Sequence, residues 1–207
     1  MGLFTKNLPE EIAGRVPPGQ RLVKTWPVLH YGPIPKFDGT TWDLEISGLV
    51  ENPFTLSYQE LRALPNVKVH ADMHCVTGWT TLDNDWEGVS FKTLLERAGA
   101  KPEAKWVIAH CEYGYTSNLS LSAMDDDDVL VAWRNGGGDL DPEHGWPLRL
   151  VVPKRYAWKS AKWLTGLEFT DHNKRGFWEV RGYHIHAEPF GEERYSYQEG
   201  PRAELEP

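Results

Sequence analysis

A cysteine at position 75 has the clearest capacity for chemistry in this sequence. Cys75 lies in the segment MHCVTGW, after an alternating stretch and before a turn that contains Gly78. A strand end that runs into a loop is a common place for functional residues. A thiolate is a soft ligand that suits a soft or high-valent metal centre. A buried, inert cysteine is the common alternative, so the residue type alone leaves both interpretations open.

Two His-Cys dipeptides raise the alternative of a zinc site. They are His74-Cys75 and His110-Cys111. Zinc-binding residues usually come in pairs that are about two to four residues apart. Neighbouring residues on a strand point to opposite faces, so both members of one dipeptide do not easily bind the same ion. A zinc-binding domain therefore stays as a weaker hypothesis.

A cluster of positive charge lies within HGWPLRLVVPKRYAWKSAKW, residues 144–163. Arginine offers a planar fork and lysine a compact charge, and both suit a phosphate group. Backbone N–H groups of the turn at residues 159–161 could complete a nest for the anion. A solvated basic face is the alternative. The five cations are Arg149, Lys154, Arg155, Lys159 and Lys162.

Composition restricts the class of protein. With 22 basic and 30 acidic residues the net charge is −8, which argues against nucleic acid as the main partner. Two cysteines do not make a disulfide framework in 207 residues, while ten tryptophans can fill a core or wall a flat cofactor. No apolar stretch of about 18 residues predicts a transmembrane helix. The N-terminus lacks an export signal, so we expect a cytoplasmic protein.

Many strands and few short helices are predicted around these side chains. Ser57 and Glu60 form a capping box for a helix that ends at Pro65, and Gly99 ends a second helix over residues 91–98. This pattern predicts a β-rich α+β fold in one domain, residues 1–207, with an extended arm at 1–37 and a polar tail at 187–207. Strands are predicted at residues 42–50, 67–74, 105–111, 116–122, 148–152 and 162–169, in VLVAW, and in a last β-like piece at 177–185.

The last β-like piece carries two histidines, His184 and His186. Two residues that are two positions apart share one face of a strand. No cysteine or carboxylate follows at a useful spacing for a metal site. We therefore interpret both histidines as surface or cofactor-adjacent residues.

Four segments of this sequence, in order, resemble the catalytic domain of the sulfite oxidase family of molybdopterin enzymes. The segments are WDLEISGLVENPFTLSYQELRALP, HCVTGW, DDVLVAWRNGGGDLDPEHGWPLRLVVPKRYAWKSAKWL and GYHIHAEPFGEERY, within residues 42–195. The chain is most similar to small bacterial members and to catalytic subunits of periplasmic methionine-sulfoxide reductases. The stretch at residues 141–163 is the most specific part.

This resemblance implies a β-rich molybdopterin-binding fold and a molybdenum–molybdopterin cofactor. Cys75 corresponds to the cysteine that ligates molybdenum in the family. The remaining residues that the resemblance places at the cofactor are His144 and Arg149 at the pterin and its phosphate, Ser160, Ala161 and Lys162 in a second phosphate-binding turn, Thr116 before a strand, and His30 and Tyr31 in an arm that closes over the pterin.

The resemblance also implies an activity, a two-electron oxygen-atom transfer on a small sulfur- or nitrogen-oxide type of substrate. Sulfite oxidases usually carry two arginines after the metal-binding cysteine, whereas here Val76 to Thr80 follow it, so sulfite is in doubt as the substrate. The haem domain of animal sulfite oxidases has no counterpart here, so we expect electrons to pass to or from a separate partner protein. A non-catalytic relative that binds the pterin or transfers electrons is the alternative function.

Overall fold

Two β-sheets and four short α-helices make up the fold in a computed structural model of the protein, which describes residues 8–203 and 205. This architecture confirms the predicted β-rich α+β class. The strands are β1 (Arg21–Leu22), β2 (Asp43–Gly48), β3 (Phe54–Ser57), β4 (Val67–Cys75), β5 (Trp79–Ser90), β6 (Trp106–Cys111), β7 (Thr116–Ser120), β8 (Leu130–Asn135), β9 (Gly138–Asp139), β10 (Arg149–Val151) and β11 (Leu164–Thr170).

The helices are short, and their ends follow the capping residues. They are α1 (Glu10–Ala13), α2 (Tyr58–Ala63), α3 (Phe91–Ala98) and α4 (Leu121–Met124). The predicted capping box forms, because Ser57 Oγ accepts from Glu60 N–H while the Glu60 carboxylate accepts from Ser57 N–H. Gly99 ends α3 with φ of 64°, a left-handed conformation that glycine adopts readily. No helix of the described residues is long and apolar enough to cross a membrane.

One sheet has five strands in the order β3-β2-β11-β6-β7. The other sheet has six strands: β1, β5, β8 and β10 follow one another in a row, β4 pairs with β5, and β9 pairs with β8. The main hydrophobic core contains side chains of both sheets. Strand alternation divides β8 between two clusters. Val131 and Trp133 lie in the main core, whereas Leu130 and Ala132 pack in a second cluster that contains Cys75. The metal-ligand candidate therefore lies outside the main core.

Several predicted elements are wrong in detail. The segment 177–185 forms no strand, because a 3-10 turn over Glu179–Arg181 ends at Gly182, whose φ is 95°. The predicted strand at 116–122 stops at Ser120, which caps α4. The arm at 1–37, where it is described, contains α1 and β1; residues 1–7, 204, 206 and 207 lie outside the described residues.

The 12-residue strand β5 was not predicted at all. Its centre contains Asp83, Asn84 and Asp85, which are residue types depleted in strands. Asp83 has a φ of 58°, and the register with β4 shifts between Ala71 and Met73. Even so, β5 pairs with β1, β4 and β8, and it positions the start of the site by placing Trp79 opposite Cys75.

Candidate cofactor-binding site

A cavity of about 360 Å³ opens beside Cys75. It is enclosed by five stretches of chain and by Tyr115. Eight of the nine residues predicted to contact the cofactor or the metal line this one cavity: His30, Tyr31, Cys75, His144, Arg149, Ser160, Ala161 and Lys162. The enclosing stretches are the arm at residues 26–31, the end of β4 with its turn at 73–79, the loop and strand at 144–149, the turn at 157–163, and the segment at 178–183.

Cys75 is the last residue of β4, and its turn is closed by a hydrogen bond from Gly78 N–H to the Cys75 carbonyl, 2.9 Å. Its Sγ accepts a hydrogen bond from Thr77 Oγ1 at 3.2 Å. Burial raises the pKa of the Cys75 thiol, and the Thr77 hydrogen bonds and the positive charges of Arg194 and Lys162 oppose that rise. A bound cation would favour the thiolate further.

Arg149 begins β10 and is only 4% exposed. All three of its hydrogen bonds go to backbone carbonyls: those of His144 and Ser160, each at 2.9 Å, and that of Leu150 at 3.4 Å. Its guanidinium also lies 5.3 Å from the ring centre of Trp86. Burial lowers the pKa of Arg149 to about 10, because no nearby carboxylate compensates its charge.

Lys162 presents a second cation to the same cavity. Its Nζ donates to the carbonyls of Leu29 at 2.7 Å and Glu143 at 2.8 Å. Burial, followed by the charge of Arg149, lowers the pKa of Lys162 to about 7. Leu29 belongs to the arm, so Lys162 also ties the arm to the domain.

An anionic ligand fits this pair of cations. Neither Arg149 nor Lys162 forms an ion pair with a carboxylate among residues 8–203 and 205. A buried cation without a counter-ion is costly. A phosphate placed in the cavity would supply the missing negative charge and accept hydrogen bonds from both side chains. The donor set thus suits the phosphate end of a molybdopterin.

The predicted anion nest at residues 159–161 is wrong for two of its three N–H groups. Lys159 N–H donates to the Tyr156 carbonyl at 2.9 Å, and Ser160 N–H donates to the Ala157 carbonyl at 3.1 Å. Ser160 Oγ is also occupied, since it accepts from Val152 N–H at 2.9 Å. The N–H groups of Lys159 and Ser160 are therefore satisfied within the protein and do not contribute to an anion nest.

The Lys159 side chain turns away from the cavity. Its Nζ lies 2.6 Å from Glu179 Oε1 and donates to the Asn118 carbonyl and side chain at 2.7 and 2.9 Å. Both members of the ion pair are buried, with 1% and 0% of the side chains exposed. Glu179 Oε1 also accepts from the indole N–H of Trp158, which lines the cavity, at 2.8 Å. Lys159 thus supports a wall of the cavity instead of an anion.

His144 and Trp26 form the part of the wall nearest to Arg149. Their rings meet edge to face at 5.2 Å, and Trp26 stacks on Trp86 at 4.9 Å. His144 Nδ1 lies 3.7 Å from the Asp141 carboxylate, and its Nε2 is buried without a hydrogen-bond acceptor. The indole N–H of Trp26 donates to Asn84 at 2.9 Å, which fixes the arm above β5.

The arm residues close one side of the cavity. His30 packs against Trp163 with ring centres 5.3 Å apart, and its Nδ1 lies 2.9 Å from the Gly32 carbonyl. Tyr31 is half exposed and packs on Phe177 with ring centres 4.3 Å apart. Both predicted arm residues therefore lie at the rim of the cavity.

Thr116 is the one predicted contact that does not line the cavity. It begins β7, and its carbonyl accepts from Phe177 N–H at 2.8 Å. Its neighbour Tyr115 lines the cavity instead, and the Tyr115 hydroxyl donates to the Trp158 carbonyl at 3.0 Å. Adjacent strand residues face opposite sides, so an offset of one position decides which side chain reaches the site.

Other candidates from the sequence lie elsewhere. Lys154 forms ion pairs with Asp126 and Asp128 on the surface. His184 is not a surface residue, because it is buried and its Nδ1 accepts N–H groups of the following turn, and its side chain does not line the cavity. His186 does not line the cavity either.

Eight Trp and Tyr side chains line the cavity, and sequence reasoning identified few of them. Five of the ten tryptophans line the cavity, together with Tyr183. The high tryptophan content was the only signal, and it carried no positions. The tryptophans concerned are Trp26, Trp79, Trp158, Trp163 and Trp178.

Comparison with known proteins agrees with this site. The model of the oxidoreductase molybdopterin binding domain matches residues 31–178, most of the chain and most of the cavity wall. The chain belongs to this family. It is a molybdopterin-dependent oxidoreductase of the sulfite-oxidase type, and its cofactor is the molybdenum cofactor, as the sequence predicted.

This chain covers nearly the whole length of one relative but only about half the length of two others. It is 45% identical to the oxidoreductase YuiH of Bacillus subtilis over 94% of this chain and 98% of YuiH. It is 29% identical to the protein-methionine-sulfoxide reductase catalytic subunit MsrP of Campylobacter jejuni over 69% of this chain and 54% of MsrP. The sulfane dehydrogenase SoxCD of Paracoccus pantotrophus shares the fold, with a TM-score of 0.60 at 24% identity over 80% of this chain and 54% of the SoxCD chain.

The zinc hypothesis has no ligand set to support it. Among residues 8–203 and 205, no group of three or more His, Cys, Asp or Glu side chains could hold a metal ion. Cys75 and Cys111 are both free thiols. Burial raises the pKa of Cys111 well above that of an ordinary thiol, and Cys111 does not line the cavity.

Proposed function

We propose that Cys75 ligates the molybdenum of the cofactor, and that the enzyme transfers one oxygen atom and two electrons on a small, neutral S-oxide or N-oxide type of substrate. The carrying observation is that one cavity presents both the Cys75 thiol and two cations that lack carboxylate partners. A thiolate suits the metal, and the cations suit the phosphate at the other end of the same cofactor.

The chain's own residues divide into three roles in this proposal. Arg149 and Lys162 bind the phosphate, His144 and Trp26 pack beside the pterin, and Cys75 binds the metal. The bound molybdenum supplies the oxygen-atom transfer chemistry, whereas the protein binds, orients and encloses it. The arm residues His30 and Tyr31 exclude water from the pterin side.

The proposed substrate is neutral because the described wall beside Cys75 offers no further free cation. Val76, Trp158, Trp178 and Tyr183 line this side, and Trp158 and Trp178 both meet the Tyr183 ring, with centres 5.3 and 5.4 Å apart. Once the phosphate occupies Arg149 and Lys162, an anion such as sulfite would meet an aromatic, uncharged surface. A neutral oxide with an apolar body matches that surface better. The names of MsrP and of the sulfite oxidase of Arabidopsis thaliana, which is 27% identical over 74% of this chain, represent the two substrate classes.

A separate protein is the proposed electron donor or acceptor. Each oxygen-atom transfer changes the metal by two electrons, which must be exchanged before the next turnover. No cluster of His, Cys, Asp or Glu side chains that could hold a further redox metal occurs in the part of the chain that the structure describes. A cytoplasmic location of the protein stays a proposal from the sequence.

The test of the metal site compares the two cysteines. The protein is purified from a host that makes the cofactor, as the wild type, Cys75→Ser and Cys111→Ser, and molybdenum is measured by elemental analysis. We expect stoichiometric molybdenum in the wild type and in Cys111→Ser, and a loss of most of it in Cys75→Ser. Equal molybdenum in both variants would show that Cys75 is not the ligand.

The test of the substrate class compares kcat/KM of the metal-loaded wild type for dimethyl sulfoxide and trimethylamine N-oxide, with a reduced viologen as the electron donor, and for sulfite, with ferricyanide as the electron acceptor. We expect at least about a tenfold preference for a neutral oxide, since an unpaired buried charge costs more than 1.4 kcal/mol. A preference for sulfite would reject the neutral-substrate proposal. No turnover with any of the three would support the non-catalytic alternative.

A further inference from the structure

The turn that carries Cys75 is held by segments from both ends of the chain. Gln20 Nε2 donates to the Cys75 carbonyl at 3.1 Å, and Arg21 N–H donates to the Gly78 carbonyl at 3.0 Å. From the other end, Arg194 Nη1 donates to the Val76 carbonyl at 2.7 Å. Three of the four residues from Cys75 to Gly78 thus have their carbonyl groups bonded by residues outside the turn.

Arg194 joins these segments through one guanidinium group. Its Nη2 donates to the Pro18 carbonyl at 3.1 Å, and the guanidinium lies 5.1 Å from the ring centre of the buried Tyr156. Its main chain is fixed as well, since its N–H donates to Gln198 and its carbonyl accepts from His184 N–H. The side chain is 16% exposed, so Arg194 is a rigid, mostly desolvated anchor.

The Val76–Thr77 peptide group lies between this anchor and the cysteine sulfur. Its carbonyl accepts from Arg194, and its nitrogen belongs to Thr77, the residue whose hydroxyl contacts the cysteine sulfur. A trans peptide directs its carbonyl and its N–H to opposite sides. The Thr77 hydroxyl donates a hydrogen bond to the cysteine sulfur at 3.2 Å.

We propose that Arg194 is a positioning residue for the metal ligand: it fixes the Val76–Thr77 peptide so that the Thr77 hydroxyl donates to the Cys75 sulfur. Hydrogen bonds to a coordinating sulfur set its orientation and withdraw electron density from it, which tunes the metal. Arg194 therefore acts on the molybdenum through one peptide group, without lining the cavity. This consequence for the metal rests on the proposed ligation by Cys75.

The first test uses the cofactor-free protein and needs no metal. Amide hydrogen exchange is measured for residues 75–80 in the wild type, Arg194→Met, Arg194→Lys and the control Arg202→Met, which changes an exposed arginine in the same terminal segment. We expect exchange of the Gly78 amide, whose hydrogen bond to the Cys75 carbonyl closes the turn, to accelerate roughly tenfold or more in Arg194→Met, less in Arg194→Lys, and not in Arg202→Met. Exchange within about twofold of the wild type in both Arg194 variants would overturn the proposal.

The second test uses the metal-loaded protein and reads the absorption band that arises from charge transfer between the cysteine sulfur and the metal. Arg194→Lys and Thr77→Val each weaken hydrogen bonds to the sulfur, so both should shift this band in the same direction, while Arg202→Met should not. Arg194→Lys also answers the case in which Arg194→Met does not fold. A shift with Thr77→Val but none with Arg194→Lys would overturn the role of Arg194. Molybdenum retained in Cys75→Ser would instead reject the proposed ligation. The exchange measurement would still test whether Arg194 fixes the turn that carries Cys75.

Discussion

Three cations between residues 149 and 162 are buried in two opposite ways. Lys159 is buried against the carboxylate of Glu179 and two oxygens of Asn118, so its charge is balanced within the protein. Arg149 and Lys162 are held by backbone carbonyls alone and face the cavity. Charge count in the sequence did not distinguish these cases, whereas the partner of each cation does.

This difference separates a cation that stabilises the cavity wall from cations that can bind an anion. A cation with a buried counter-ion is already satisfied, and removing one partner leaves the other uncompensated. A cation with carbonyl partners only keeps a net charge that attracts an anion. Lys159 therefore belongs to the structure of the wall, and Arg149 and Lys162 belong to the site.

The largest expected effect is on the balanced pair. Lys159→Met leaves Glu179 buried with only the Trp158 indole as a donor, so the free energy of unfolding should fall by about 3–5 kcal/mol. The double variant Lys159→Met with Glu179→Gln should recover at least half of that loss. Urea unfolding of the cofactor-free protein measures both. A loss below about 1 kcal/mol in the single variant would contradict the comparison.

For Lys162, which has no carboxylate partner, we expect a small effect on stability and a clear effect on anion binding. Lys162→Met should change the free energy of unfolding by less than about 1 kcal/mol, because the loss of two hydrogen bonds is offset by removing a desolvated charge. It should weaken binding of inorganic sulfate to the cofactor-free protein by roughly tenfold, measured by calorimetry. Lys154→Met, which changes a surface cation, is the control. Equal affinities in the two variants would show that Lys162 does not bind the anion.

The pH dependence of anion binding sharpens the same contrast. Burial and Arg149 lower the pKa of Lys162 to about 7, and a bound anion raises it again. Sulfate affinity should therefore fall as pH rises from about 7 to 9, by less than tenfold per pH unit, because the free protein loses the proton that the complex requires. Between the lowered pKa of Lys162 in the folded protein and its ordinary pKa, Lys162 is protonated in the unfolded chain but largely deprotonated in the folded one. The free energy of unfolding of the cofactor-free protein therefore rises with pH in this range. Lys162→Met should remove the slope of affinity, and a slope that persists would assign it to another group.

The smallest effect concerns the predicted contact that the structure places elsewhere. Thr116 bonds through its backbone to Phe177, so Thr116→Val should leave the molybdenum content of the purified enzyme within about twofold of the wild type. Tyr115→Leu is the comparison, since Tyr115 lines the cavity and holds the Trp158 carbonyl. A larger loss with Thr116→Val than with Tyr115→Leu would restore the predicted contact.

Local signals explain which elements were predictable. The capping box at Ser57 and the glycine stop at Gly99 are decided by neighbours within a few residues, and both formed as predicted. The strand β5 was missed because Asp83, Asn84 and Asp85 disfavour a strand locally, while pairing with three other strands overrides that preference.

The sequence by itself determined the family, the cofactor and the identity of eight residues that line the cavity, because these depend on residue types in a fixed order. It did not determine the direction of each side chain. Only the tertiary structure showed that Lys159 is neutralised by Glu179, that Tyr115 rather than Thr116 reaches the cavity, and that Arg194 meets the turn of Cys75. These contacts join residues that are far apart along the chain, or depend on which side of a strand a residue faces. Both are decided by packing of the whole chain and not by local sequence.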